Sequence, residues 1–159
     1  MEITDTHAIF DVHINGEPSK MTYMGSFKVK TIMSPMDEIN ADKLYRQLLG
    51  ENMLMASDNV KNNAFVLSQL KYRILSYEKA PFWANPENPD VPGAHITDGN
   101  VIFEVFNKAV EAQELYIKQK QEEAQALEDA LKAAIKSKKI EKEPELETDN
   151  VPEIDLDEE

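Results

Sequence analysis

The chain has no cysteine in its 159 residues, which excludes structural disulfides, thiolate nucleophiles and thiolate metal sites. That composition suits a reducing cytosol. Only five glycines are present, too few for a convincing phosphate cradle. No GxGxxG, Walker loop, GxSxG or HExxH pattern occurs. The three histidines, His7, His13 and His95, stand at no ligand spacing from one another, so no metal site and no cofactor are expected. Asp98-Gly99-Asn100 lacks the later ligands of a calcium loop and reads as the start of a helix. No apolar run approaches the roughly 18 to 20 residues that span a bilayer. The opening MEITDTHAIF has neither a basic segment nor an apolar core of the secretory kind. The expectation is a soluble, unexported, cytoplasmic protein with no membrane partner.

What the chain does have is acid, unevenly placed. Residues 1–117 hold 16 acids against 10 bases, residues 118–142 hold 5 against 7, and residues 143–159 hold 9 against none. The net charge of -13 and the pI near 4.6 argue against nucleic acid as a ligand, because phosphate needs a lysine- and arginine-rich surface. Three segments follow from this partition. They are a globular domain over 1–117, a projecting Gln/Lys-rich helix over 118–142, and an acidic tail over 143–159 whose two prolines and few apolar residues predict disorder.

Within the globule, Ala8, Phe10, Val12 and Ile14 alternate with polar neighbours up to the turn dipeptide Asn15-Gly16, the pattern of a half-buried strand. A second extended stretch, Met21 to Ile32, offers Tyr23, Phe27, Val29 and Thr31 to a core and Lys28 and Lys30 to water. Gly25 interrupts it as a bulge would. The two form a hairpin over 7–33 that needs other elements to cover its apolar face. Ser34-Pro35-Met36-Asp37 starts a helix over about 35–49, with Ala41, Leu44, Tyr45, Leu48 and Leu49 on one face and Gly50 as its stop. A central helix is expected over about 58–77, with Lys71 and Arg73 snorkelling at its edges. A third spans about 98–117 with Thr97 as its N-cap. The fold class is α+β and mainly helical, with a hairpin packed on core helices.

The candidate functional residues are apolar. Phe82-Trp83, in the proline-rich stretch Ala80 to Gly93, either plugs the core or anchors a partner. Leu127 and Leu131 lie with Ala124 and Ala134 at spacings of three and four, a seam through which the chain could homo-oligomerise. Leu146, Ile154 and Leu156 are spaced through the acidic tail like a short linear motif for a basic groove. Six methionines, Met21, Met24, Met33, Met36, Met53 and Met55, suit either gap filling, the commoner use, or an adaptable contact surface. No nucleophile, base or metal constellation accompanies them, so the expected function is non-catalytic.

The stretch GSFKVKTIMSPMDEINADKLYRQLLG, the helix NNAFVLSQLKYRI and the stop APFW together resemble small tailed-bacteriophage morphogenesis proteins, most of all the tail assembly chaperones. The shared pattern is F-x-V-K leading into S-P, a helix ending R-x-L-L-G, and A-x-x-L-x-Q-L-K-x-R-I closing on P-F-W, from about Gly25 to Trp83. The resemblance implies a cytosolic, acidic, mostly helical, non-catalytic assembly factor. Its partner would be a virion protein such as the tape-measure or tail tube protein. The hairpin and the Gln/Lys-rich helix fall outside that pattern. They leave open a structural virion component (a capsid, neck or tail accessory subunit), and the acidity leaves open an anti-host protein with a basic host partner.

Overall fold

The computed structural model describes residues 1–78 and 95–140. Their order is β1 (Glu2–Ile3), β2 (His7–Asn15), β3 (Thr22–Lys30), α1 (Pro35–Leu49), a 3-10 turn (Gly50–Asn52), α2 (Asp58–Arg73), β4 (Ile74–Glu78) and α3 (Gly99–Ile140). The fold is α+β. The four strands form one antiparallel sheet in sequence order.

β2 and β3 pair without interruption from His7↔Lys30 to Asn15↔Thr22. Period-2 alternation therefore puts Ala8, Phe10, Val12, Tyr23, Phe27 and Val29 on one face, where all are buried. Gly25 sits in regular register opposite Val12 and makes no bulge; the irregularity lies between β3 and β4, at Lys28/Val29. β4 corrects the expectation of a helix to residue 77. Ile74 to Tyr77 can continue a helix or pair as a strand, and pairing with β3 places Ile74 and Tyr77 against the core.

α1 begins as its sequence predicts. Ser34 accepts a hydrogen bond from the Asp37 backbone N–H, while the Asp37 carboxylate accepts from the Ser34 N–H and from Lys30 Nζ at 2.7 Å. Gly50, at φ 60°, ends it by donating its N–H to the Arg46 carbonyl. Ala41 and Leu49 are buried as expected, whereas Leu48 faces solvent. α2 buries Ala64, Val66, Ser68, Leu70 and Arg73. Arg73 does not snorkel: it is 8% exposed, because it shares the helix stripe of Val66 and Leu70. Its Nη1 donates to Gln113 Oε1 at 2.7 Å, tying α2 to α3. Burial pushes its pKa down, and the field of Glu38 partly offsets this.

The core forms where the sheet's inner face meets Val66 and Leu70 of α2 and Val101, Val105, Ala109 and Ala112 of α3. Ala109 and Ala112 have no bulk to hold the helix off the strands. Phe27 is the centre, fully buried, with Phe10 stacked at 6.1 Å and Tyr77 tilted at 6.2 Å between centroids. Phe27→Ala is expected to lower unfolding free energy by about 3–5 kcal/mol, read from urea denaturation at neutral pH.

Candidate interaction surface

One charged group is fully buried and belongs to no ion pair in the described residues. Asp98 immediately precedes α3 and occupies the N-cap position expected for Thr97, with the Val101 N–H bonded to its carbonyl at 3.1 Å. Its carboxylate accepts from the Ser19 N–H at 2.8 Å, the Ser19 hydroxyl, and the Tyr23 hydroxyl at 2.6 Å. Asn100, two residues on, accepts from the Glu17 N–H and donates to the Asn15 carbonyl, both at 2.9 Å. The tip of the β2–β3 hairpin is thereby clasped to the start of α3. Gly16 makes the approach possible, since a Cβ there would lie 2.3 Å from Asp98 Oδ2 and 2.5 Å from the Tyr23 ring.

Burial pushes the Asp98 carboxyl up, but the donors from Ser19 and Tyr23 outweigh it and hold it below the usual range. Tyr23 is pushed up by its hydrogen bond to that carboxylate and by burial. Both hydroxyls donate to a carboxylate that is itself stabilised as the anion, so the cluster is built as a clasp. Among the described residues no three His, Asp or Glu side chains gather to hold a metal ion, and no helix is long and apolar enough to cross a membrane.

The surface instead offers apolar side chains. Tyr45, Phe65 and Phe106 form an edge-to-face series at 6.4 and 5.9 Å, joining α1, α2 and α3. Beside it, a groove of about 290 Å³ between α1 and α2 is lined by Tyr45 and Phe65 with the carboxylates of Glu38 and Asp42 at its rim. Where α1 runs into α2, Leu48, Met53, Leu54 and Met55 all face solvent, with Leu54 94% and Met55 91% exposed. Met36 and Ile39 are exposed one turn apart near the start of α1. Of Met21, Met24, Met33, Met36, Met53 and Met55 only Met33 is buried; the other five are exposed, which corrects the gap-filling expectation.

The predicted site residues divide. Leu127 and Leu131 are 74% and 61% exposed on α3, with Ile135 exposed beside them and Glu128–Lys132 paired at i,i+4. Phe82, Trp83, Leu146, Ile154 and Leu156 lie outside the described residues, as does the acidic tail of 143–159. The Leu54-Met55 projection was missed because two apolar residues in a short connection carry no periodicity. Comparison with protein-family models, with curated proteins and with solved structures finds no match in any of the three.

The lowered pKa of Asp98 and of Asp37, the latter held down by Lys30 and Ser34, fixes a sign. Both stabilise the fold above the usual carboxyl value of 3.8, and the contribution disappears as pH falls through the folded values. Tyr23, raised from 10.0, contributes below that value and loses its contribution as pH rises past it. The urea midpoint is expected to fall at both extremes. Asp98→Asn should lower it at pH 7 and flatten the acid limb, and Gly16→Ala should cost about 1–3 kcal/mol through overpacking.

Proposed function

We propose that this chain is a non-catalytic tailed-phage assembly factor of the tail-chaperone kind. In this reading it holds a virion protein, such as the tape-measure or tail tube protein, in the cytoplasm of the infected cell until that protein polymerises. The observation that carries the reading is the exposed group Leu48, Met53, Leu54 and Met55 on a chain of net charge -13. Exposed aliphatic and thioether side chains in a cluster mark a contact surface, and methionine adapts to partners of varied shape. The excess of carboxylates keeps such a complex soluble while its apolar surfaces are covered. The seam of Leu127 and Leu131 supplies a second contact suited to a partner helix. The resemblance over Gly25 to Trp83 supports the choice of partner.

Co-expression with the cognate tail tube or tape-measure protein tests this. The partner should move to the soluble fraction and co-purify. Leu54→Glu with Met55→Glu should cut its recovery at least about tenfold while changing this chain's own stability by no more than about 0.5 kcal/mol. A partner equally soluble without this chain would overturn the reading. Stoichiometric recovery of this chain from purified particles by mass spectrometry would replace it with the structural-component alternative.

A further inference from the structure

With no cysteine in the chain, its only side-chain sulfur is thioether, and the structure sorts the methionines by access. Met33 is buried in the core, whereas Met53 and Met55 are exposed where α1 runs into α2, Met55 almost entirely. Access decides reactivity, because an oxidant must reach the sulfur. Surroundings decide the consequence. Met21 follows Lys20 at the hairpin tip, and Met24 stands on the open face of the sheet beside Asp11 and His13, so a polar group added at either joins polar neighbours. Met53 and Met55 instead flank the exposed Leu54, with Leu48 exposed at the end of α1. A polar atom added there changes the character of an apolar surface.

We propose that Met53 and Met55 form a modification site, at which a peroxide converts the thioethers to sulfoxides and switches the apolar connection off. The step balances. A sulfur lone pair attacks one oxygen of hydrogen peroxide, the O–O bond breaks, the sulfur gives up two electrons to become the sulfoxide, and the second oxygen leaves as water. Reversal returns two electrons from a dithiol, which becomes a disulfide as the sulfoxide oxygen leaves as water. This chain has no thiol of its own, so the reductant is a dithiol-dependent methionine sulfoxide reductase. The sulfoxide oxygen is a strong hydrogen-bond acceptor that holds water, and an apolar partner surface can neither replace that water nor accept its loss without cost. The fold itself is spared, since both side chains face solvent and the added oxygen enters no core. The same oxygen on Met33 would enter one, but burial keeps the oxidant away. The proposal rests on the function proposed above, in which this connection contacts the virion protein. A bound partner covers both sulfurs, so the empty chain is the form that is oxidised.

Peptide mapping by mass spectrometry of the full chain after graded hydrogen peroxide tests the site. Met55 should oxidise at least about tenfold faster than Met33, which must wait for the fold to open. Hydrophobic-interaction chromatography reads the switch without any partner. Retention of the folded chain should fall as Met53 and Met55 oxidise, and should recover on treatment with methionine sulfoxide reductase. M53L/M55L keeps the volume and apolarity but has no oxidisable sulfur at the site, so most of that fall should be absent. Circular dichroism should show the fold retained throughout. Peroxide treatment of the empty chain should also cut later capture of the tail tube or tape-measure protein at least about tenfold, with M53L/M55L spared. Met55 oxidising no faster than Met33, retention unmoved by oxidation, or M53L/M55L losing as much as the unaltered chain would overturn the proposal. A partner never captured by the untreated chain overturns the function proposed above instead, and the mapping and retention results still decide the site.

Discussion

The carboxylate of Asp98 organises the arrangement of sheet and helix. A buried ionised carboxylate costs far more than the fold can spare unless donors replace its hydration, and three do, two from Ser19 and one from Tyr23, with the field of Lys20 adding to them. Those donors come from the hairpin, whereas Asp98 stands at the start of α3. The buried anion is satisfied only when the hairpin tip and the helix start are docked in one relation. That relation places Val101, Val105, Ala109 and Ala112 over Phe10, Phe27 and Val29. Apolar burial supplies most of the driving force, but it tolerates sliding and rotation of a helix on a sheet. The carboxylate does not tolerate such movement, because a displaced α3 would leave a charge unsolvated. Gly16 belongs to the same constraint, since any side chain there would occupy the space of the clasp.

Arg73 meets a comparable problem differently. Its guanidinium is buried between α2 and α3 against the neutral amide oxygen of Gln113, with Glu38 acting only through its field. A cation with neutral acceptors contributes direction more than strength. Asp98 fixes one end of the α3 contact, and Arg73 fixes a point further along it, beyond Ala112. Two polar anchors at separate positions define both position and rotation of the helix over a core built largely of interchangeable aliphatic groups.

What could be read in advance was what local chemistry decides. Ser34, Pro35 and Asp37 are enough to start α1, and Gly50 to end it, because a cap is satisfied within a few residues of chain. The alternation from Ala8 to Ile14 and from Tyr23 to Val29 likewise announced its buried face. The boundary at Arg73/Ile74 was not legible, since Ile74 to Tyr77 suits either helix or strand and the choice rests on a ladder with β3, distant in sequence. Asp98 looked like an ordinary helix start because its partners are 75 and 79 residues away. Of the exposed apolar side chains, Leu127 and Leu131 showed in their spacing. The exposure of Leu54 and Met55 did not, because composition cannot say whether an apolar pair in a connection folds inward.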